Sequence, residues 1–213
     1  MKTLSCILMG YLIGSINPSY FLARRKGFDI REKGSHNAGA SNAVILLGKG
    51  RGIFCALFDI LKTCFVIAAA KRIFPFYPHT LAVTGTSCII GHIYPFYMKF
   101  RGGKGLACLG GMILMYDRRV FLVFLSIEAV ILFITNYICF VPITAAAVFP
   151  FTYGVLDHDR FGAAFLLAAA AVILFKHIEN LRRIKNGTEL RFSYLWNKEA
   201  EMQRLGRKSP EEE

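Results

Sequence analysis

Paired cysteines are missing from this 213-residue sequence. The six cysteines are scattered one per apolar segment and form no Cys-x-x-Cys pair; they are Cys6, Cys55, Cys64, Cys88, Cys108 and Cys139. Such spacing argues against a disulfide framework or a zinc site, and small buried hydrophobic side chains are the simpler interpretation. We therefore expect neither disulfide bonds nor a bound metal.

Signatures of nucleotide and dinucleotide cofactors are also missing. No Gly-x-Gly-x-x-Gly fingerprint follows a strand-like segment. The basic segment Phe100–Gly105 lacks both the glycine spacing and the Ser or Thr that a Walker A loop requires. The sequence thus predicts no cofactor.

Acidic residues are few, with 14 Asp and Glu against 26 Lys and Arg, and the formal net charge is +12. A nucleic-acid partner would require a basic, aromatic-bearing soluble face, and no such face lies outside the apolar segments. The basic residues instead cluster in certain connections between these segments, as cytoplasmic loops beside anionic lipids do. We expect membrane lipids as partners, and no nucleic acid.

No long soluble stretch remains once the apolar segments are removed. Hydrophobic residues make up 54% of the chain, and the mean hydropathy is +0.44. Continuous apolar runs disfavour a β-barrel. We predict an all-α polytopic membrane protein, with about seven transmembrane helices in an integral membrane domain over residues 1–192. A charged cytoplasmic tail, disordered at its end, should follow at 193–213.

The apolar runs define the predicted spans. They are Thr3–Ala23 with a kink near Pro18, Ile53–Ala70, His79–Tyr97, Gly105–Tyr116, Val120–Ile138, Phe140–Leu156 and Phe161–Phe175. The first run is too long for a signal peptide and lacks a convincing cleavage site. The positive-inside rule predicts an outside N-terminus, a cytoplasmic C-terminus and an odd number of spans. Seven spans fit if the short segment Gly105–Tyr116 crosses, and five if it and a neighbour re-enter.

Charged residues inside the spans are candidates for function. Asp59 and Lys62 are three residues apart on one helical face, and we interpret them as a neutralising pair near the cytoplasmic interface. Glu128 lies mid-span without an evident partner. Asp157-His158-Asp159 is interpreted as a solvated turn, because three adjacent residues do not readily converge on one ion.

Three polar clusters are predicted to face the cytoplasm together. They are residues 34–42, Gly91-His92 with the Phe100–Gly105 segment, and His177-x-x-Asn180-x-x-Arg183 with Gly187-Thr188-Glu189. In the second cluster, glycines around Lys104 can turn successive backbone N–H groups toward one anion. Their shared side of the membrane favours a single pocket for phosphate-bearing ligands.

These clusters resemble the three motifs of bacterial acyl-phosphate:glycerol-3-phosphate acyltransferases (PlsY-type). The first motif is similar to Gly14-Ser15-Ile16 through Asp29-Ile30-Arg31, followed by Gly34-Ser35-x-Asn37-x-Gly39-Ala40-x-Asn42. The second is similar to Gly91-His92-Ile93-Tyr94-Pro95 with Lys99-Phe100-Arg101-Gly102-Gly103-Lys104-Gly105, and the third to the His177–Glu189 cluster. The resemblance covers about residues 5 to 192.

The resemblance implies a seven-helix enzyme of the bacterial inner membrane whose active site faces the cytoplasm. It implies transfer of a fatty acyl group from acyl phosphate to the 1-hydroxyl of glycerol 3-phosphate, giving lysophosphatidic acid and phosphate for phospholipid biosynthesis. Neither a metal nor a cofactor is implied. Functional coupling to an enzyme that produces acyl phosphate is expected.

The resemblance also implies the site residues. Ser35, Lys104, His177 and Asn180 are the expected catalytic residues; the first two would hold phosphate, and the others would position glycerol phosphate and the attacked carbonyl. The expected substrate-binding residues are Asn37, Gly39, Asn42, His92, Arg101, Gly102, Gly103, Gly105, Arg183, Gly187 and Glu189. The proton acceptor stays open between a histidine and a substrate phosphate oxygen.

Two residues depart from the family's pattern. Ile45 stands where the family usually has an arginine, and His36 where it usually has glycine. Loss of a charge-assisted contact costs about 1.5–3 kcal/mol. A second hypothesis is therefore a weakened or inactive paralogue that binds lipid or phosphate ligands. A third, a small anion transporter, would rest on Asp59, Lys62 and Glu128, but transporters usually show internal repeats and none is evident here.

Overall fold

The structure, a computed structural model, describes residues 1–206. Within that range the chain is helical and contains no β-strand, which confirms the predicted all-α class. The helices are α1 (Lys2–Ser15), α2 (Pro18–Arg25), α3 (Ala40–Leu47), α4 (Lys49–Ile73), α5 (Thr80–Ile93), α6 (Leu106–Tyr116), α7 (Arg118–Thr135), α8 (Phe140–Asp157), α9 (Arg160–Lys185) and α10 (Lys198–Arg204), with 3-10 turns at Phe96–Met98 and Phe192–Leu195. The predicted disorder of Ser209–Glu213 lies outside the described residues.

Large apolar side chains face outward from the helical bundle. Phe133 is 72% exposed and Phe151 is 65% exposed. Four stretches of residues 1–206 are long and apolar enough to cross a membrane: Lys2–Arg25, Lys49–Ile73, Phe140–Asp157 and Arg160–Lys185. An apolar exterior of this kind is stable only in lipid, so the chain is an integral membrane protein.

Helix α5 lies at the centre of the bundle. Of its 14 residues, all but Ile90 are buried, and it packs against α1, α4, α6 and α9. Glycines let α1 and α5 approach closely: a Cβ on Gly14 would lie 2.2 Å from the Cys88 carbonyl oxygen, and one on Gly91 would lie 2.2 Å from that of Tyr11. Small residues are the usual means of close helix packing in membranes. The residues just beyond the C-terminal end of α5 are therefore held in a fixed position.

The predicted kink near Pro18 is present as a break between α1 and α2. Asn17 caps α2 by accepting a hydrogen bond from the Tyr20 backbone N–H at 2.9 Å, and Pro18 occupies the first helical position. Both choices are typical of helix starts. The break redirects the chain from the bundle toward the first polar cluster.

Helical boundaries differ from the prediction in two places. The basic connection 24–51, predicted as a loop, contains α3 and the start of α4, because its apolar residues pack against Ala23, Ile30 and Cys55. Helix α9 continues ten residues beyond Phe175, where the last span was predicted to end, to Lys185. Lysine and arginine are good helix formers and are favoured near a helix C-terminus, so basic residues did not mark its end.

The end of the bundle that holds the N-terminus is fastened by polar contacts between helices; we call it the distal end. The Thr3 and Tyr77 hydroxyls lie 2.7 Å apart. Asp159 accepts hydrogen bonds from His79 Nδ1 and from the Tyr153 hydroxyl, each at 2.8 Å, and caps α9. Asp157 and His158 are exposed, as expected for a solvated turn, whereas Asp159 departs from that interpretation because it joins α5 and α8 to α9.

Glu128 has a partner that the sequence did not reveal. The Thr144 hydroxyl of α8 donates a hydrogen bond to Glu128 Oε2 of α7 at 2.6 Å. Interhelical hydrogen bonds of this kind hold membrane helices together. Glu128 lies outside the cavity described below, so we assign it to the packing of α7 on α8.

Candidate active site

A cavity of about 300 Å³ opens at the end of the bundle opposite the distal end. It is bordered by α3, α4, the end of α5, the start of α6, the start of α8, the part of α9 that carries His177 and Asn180, and the chain that follows α9. Residues from all three predicted clusters line it: Ser35, Asn37, Gly39, His92, Lys104, Gly105, His177, Asn180 and Glu189. The fold therefore brings together segments that are more than 140 residues apart in sequence.

The remaining predicted site residues do not line this cavity. They are Asn42, Arg101, Gly102, Gly103, Arg183 and Gly187. Several of them instead hold the residues that do. The contacts of Asn42, Gly103 and Arg183 show how.

Asn42 is the centre of the first loop. Its fully buried amide nitrogen donates to the carbonyl oxygens of Ile30, Lys33 and Asn37 at 2.8–3.1 Å, and its Oδ1 accepts from the Ser35 N–H at 2.9 Å. Both ends of the amide are thus used by the backbone. Asn42 fixes the positions of Ser35 and Asn37 rather than offering free polar atoms to a ligand.

The first and second loops are tied together by Arg31. Its guanidinium donates to Asp29 Oδ2 at 2.6 Å and to the Met98 carbonyl oxygen at 2.5 Å. The hydrogen bond from Arg31 lowers the pKa of Asp29 to about 2. This tie therefore persists across the physiological pH range.

The second loop does not form the predicted nest of free N–H groups. The Gly102 and Gly103 N–H groups donate to the carbonyl oxygens of Ile93 and His92 at 2.9 and 3.1 Å. Glycine is required at Gly103 for space, because a Cβ there would lie 2.0 Å from His92 Nε2. The prediction of an anion nest at Gly102 and Gly103 is wrong, since the loop folds back on the end of α5.

The N-terminus of α6 supplies donors that this nest does not. Gly105 precedes the helix with φ +91°, which favours glycine. Leu106 and Ala107 line the cavity, and their N–H groups make no hydrogen bond to any residue in 1–206. Free N–H groups and the helix dipole together favour an anion at this position.

Asp59, Lys62 and His92 form a buried cluster at the cavity, where Asp59 and His92 line the wall and Lys62 lies behind them. Lys62 Nζ lies 2.6 Å from Asp59 Oδ1 and 3.2 Å from His92 Nδ1, and donates to the Ile16 carbonyl oxygen at 2.7 Å. The pairing of Asp59 with Lys62 is as predicted, and the pair is buried and shared with His92. Asp59, His92 and Cys108 have the proximity of metal ligands, yet the Lys62 ammonium already occupies the position between the first two.

Lys104 is held by a chain of side chains from the third motif. Lys104 Nζ donates to Asn180 Oδ1, Asn180 Nδ2 donates to Glu189 Oε1 at 2.5 Å, and Arg183 Nε donates to Glu189 Oε2 at 2.6 Å. Burial, with a further contribution from the Arg183 charge, lowers the pKa of Lys104 to about 8. The result is a fixed, partly dehydrated ammonium in a cavity otherwise rich in apolar residues.

His177 presents one ring nitrogen for chemistry. Its Nδ1 lies 2.8 Å from the Ile173 carbonyl oxygen, and a carbonyl only accepts, so Nδ1 is the donor. In the neutral ring, Nε2 then carries no proton. His177 lines the cavity while being only 3% exposed, and its Nε2 makes no hydrogen bond to any residue in 1–206.

A family model described as glycerol-3-phosphate acyltransferase matches residues 4–187. The chain belongs to this family. Its members include the glycerol-3-phosphate acyltransferase of Geotalea daltonii, 34% identical over 86% of this chain and 94% of that protein. That of Aquifex aeolicus is 33% identical over 90% of this chain and its own full length.

A solved structure agrees with this assignment. The crystal structure of PlsY, an integral membrane glycerol 3-phosphate acyltransferase, in its glycerol 3-phosphate form superposes with a TM-score of 0.82. The two sequences are 30% identical, and the match covers 92% of this chain and 98% of PlsY. The lysophosphatidic acid form of PlsY matches with a TM-score of 0.79. The resemblance inferred from the three motifs is confirmed.

In this acyltransferase one wall of the cavity was not predicted from the sequence. Five residues that follow Glu189 line it: Leu190, Arg191, Phe192, Tyr194 and Leu195. The predicted domain boundary after residue 192 therefore passes through the cavity wall. A signal was available in the apolar and aromatic residues between Leu190 and Trp196, which are unusual in an otherwise polar tail.

Proposed function

We propose that this chain transfers a fatty acyl group from an acyl phosphate to the 1-hydroxyl of glycerol 3-phosphate, giving lysophosphatidic acid and phosphate. The proposal rests chiefly on the convergence of three distant motifs on one cavity that holds a fixed lysine, a histidine and a free helix N-terminus. Family membership and the glycerol 3-phosphate and lysophosphatidic acid forms of PlsY support the acceptor and the product.

The donor in this proposal is a mixed anhydride, which already carries a good leaving group. The substrate hydroxyl oxygen forms a bond to the carbonyl carbon, and the bond from that carbon to the phosphate oxygen breaks. Phosphate leaves with the electron pair, and the hydroxyl proton passes to His177 Nε2 or to a phosphate oxygen. The enzyme then mainly has to orient two anions and reduce their repulsion.

The cavity contains residues suited to orienting the two anions and reducing their repulsion. Lys104 and the first N–H groups of α6 would bind phosphate, with Ser35 beside them. Asn180 and Glu189 would keep Lys104 in place. The apolar part of the cavity wall, which includes Ile53 from α4, suits the start of an acyl chain.

In the membrane, we place the cavity at the cytoplasmic face of the bacterial inner membrane. Seven apolar helical segments then cross, with α1 and α2 counted as one and α3 lying at the surface. Basic residues are concentrated in the connections at the cavity end, which supports an outside N-terminus and a cytoplasmic C-terminus. An acyl-phosphate-producing enzyme would supply the donor at that face.

The test is a direct assay of the purified protein with palmitoyl phosphate and glycerol 3-phosphate. Inorganic phosphate and lysophosphatidate should appear together in equal amounts. Lys104→Ala should lower kcat/KM by about 10- to 100-fold, since a hydrogen bond to a charged group contributes about 1.5–3 kcal/mol. Lys185→Ala removes an exposed charge that does not line the cavity and serves as the control. Absence of product from the unmodified protein would reject the proposal.

Ile45 keeps a second candidate, a weakened ligand-binding paralogue, open to the same assay. Ile45 lines the cavity, so an arginine introduced there would face the substrates. Because Lys104 is retained, we expect the unmodified protein to turn over and Ile45→Arg to change kcat/KM by less than about tenfold. An inactive unmodified protein that gains activity through Ile45→Arg would favour the paralogue instead.

A further inference from the structure

The chain after α9 is built into the cavity rather than trailing from it. Residues 190–204, which we call the C-terminal segment, contact the turn between α7 and α8. The Phe192 N–H donates to the Asn136 carbonyl oxygen at 2.7 Å, and the Ser193 N–H donates to Asn136 Oδ1 at 2.9 Å. This docking places the start of the segment across one side of the cavity.

Helix α10 holds the residues just before this docked stretch in place. Arg204 donates to the carbonyl oxygens of Gly187 and Glu189 at 2.8 and 2.7 Å. Glu201 is 5% exposed, pairs with Arg204, and accepts a hydrogen bond from the Arg191 N–H at 2.8 Å. The backbone of Arg191 is therefore held two residues from Glu189, which belongs to the Lys104 network.

Arg191 differs from the other charged residues that line the cavity. Asp59 is paired with Lys62, Glu189 is paired with Arg183, and Lys104 donates to Asn180. By contrast, the Arg191 guanidinium makes no hydrogen bond or ion pair with another residue of the range 1–206. Arg191 is exposed, and its charge also acts on the Glu201 carboxylate, which pairs with Arg204. It is nevertheless a cation on the cavity wall whose guanidinium no hydrogen bond or ion pair holds in place.

The proposed reaction brings two phosphate groups into one small space. Like charges held close together in a partly dehydrated cavity repel each other strongly, so each phosphate benefits from its own cation. Lys104 can neutralise one phosphate. A guanidinium is suited to the other, because its planar donors bind phosphate in bidentate fashion.

We propose that Arg191 is a second phosphate-binding residue, which pairs with the phosphate of one of the two substrates in the cavity. The proposal rests on the acyl transfer proposed above. It also gives the C-terminal segment a role: through Glu201, Arg204 and Asn136 the segment holds Arg191 at the cavity wall. The same phosphate chemistry occurs in glycerol 3-phosphate and in acyl phosphate, and kinetics can separate the two.

The experiment measures KM for each substrate with the full chain in detergent, using Arg191→Gln, Arg191→Ala and Arg191→Lys. Arg191→Gln and Arg191→Ala should raise KM about 10- to 100-fold for one substrate, leaving the other KM and kcat within about threefold. The substrate whose KM rises is the one whose phosphate Arg191 binds. Arg191→Lys should retain an intermediate KM, because it keeps the charge but loses the bidentate geometry.

Arg182→Ala is the matched control, since Arg182 is an exposed arginine of α9 that does not line the cavity. It should leave both KM values unchanged. Two results would overturn the role of Arg191: both KM values within about twofold of the unmodified protein in Arg191→Gln, or a loss of kcat alone. If the unmodified protein makes no lysophosphatidate, the acyl transfer proposal itself fails, which is a separate outcome.

Discussion

Lys104 carries a positive charge in an environment that disfavours the charged form of its side chain. Burial removes water from the ammonium, and the nearby Arg183 disfavours a second positive charge, so the pKa of Lys104 is lowered to about 8. The lysine is charged below this pH and neutral above it. A bound phosphate should raise the pKa of Lys104 again, because an anion beside the ammonium favours its charged form.

This lowered pKa predicts a pH dependence of substrate capture. The second pKa of a phosphate monoester is about 6, so the substrate phosphate does not change charge near pH 8. We expect kcat/KM for glycerol 3-phosphate to fall as the pH rises through about 8, because the free enzyme then loses the Lys104 charge. A pH profile of kcat/KM between pH 6.5 and 10 measures this.

Lys104→Arg separates Lys104 from other groups that titrate in this range. Arginine keeps its charge throughout, since its pKa exceeds 12. Whatever its absolute activity, the variant should lose the decline near pH 8. If the decline keeps the same midpoint in Lys104→Arg, another group is responsible.

Individual residues were predicted better than their partners. His177 and Asn180 were placed in one cavity because a spacing of three puts them on one helical face. Beyond the predicted Asp59, the partners of Lys62 were not predictable, since His92 reaches it from α5 and Ile16 from the chain after α1. Backbone N–H groups were misjudged for the same reason: a glycine-rich sequence shows that a turn is possible, but not which carbonyl it meets.

At the scale of elements, the second loop depends on the absence of a side chain at Gly103. A Cβ there would lie 2.0 Å from His92 Nε2, and His92 is locked by Lys62 and Asp59 beneath it. Gly103→Ala should therefore displace the loop that carries Lys104, at a cost of about 1–3 kcal/mol from overpacking. We expect a large loss of kcat/KM and a lower melting temperature in detergent.

Gly110→Ala provides the control for that change. Gly110 lies in α6, only a few residues further along, and a Cβ there would meet nothing within 4 Å. Alanine also favours a helix over glycine by about 0.5–1 kcal/mol. The variant should keep both its activity and its melting temperature. Equal losses in Gly103→Ala and Gly110→Ala would show that the His92 contact is not what matters.

The ordered structure of the C-terminal segment was not predicted from the sequence. Its charged composition resembles a solvated tail, and α10 is only seven residues long. What orders the segment is a set of hydrogen bonds to backbone carbonyls of residues 187 and 189 and to Asn136. Such bonds leave no periodic pattern in the sequence, so composition alone did not indicate that Arg191 lines the cavity.

For the whole molecule, the central helices are short for a membrane. Helix α5 has 14 residues, which at 1.5 Å per residue gives roughly 21 Å, against a hydrocarbon core of about 30 Å. Because neighbouring helices enclose it, non-helical backbone at its ends is shielded from lipid, as membrane proteins require. Short length thus explains why α5 and α6 are not among the four stretches long and apolar enough to cross, whereas α7 has 18 residues but carries Arg118, Arg119 and Glu128.

This arrangement predicts that the turn between α4 and α5 and the turn after α2 lie on opposite sides of the membrane. Phe76, 91% exposed, lies in the turn that joins α4 to α5 at the distal end, and Lys26 is exposed after α2 at the cavity end. A membrane-impermeant maleimide should label Phe76→Cys in intact spheroplasts, but Lys26→Cys only after lysis. The unmodified protein, whose six cysteines are buried or partly buried, gives the background. Labelling of both variants from the same side would show that the chain does not cross the membrane between these two positions. Labelling of Lys26→Cys in intact spheroplasts, and of Phe76→Cys only after lysis, would place the cavity outside the cytoplasm, away from any intracellular supply of acyl phosphate.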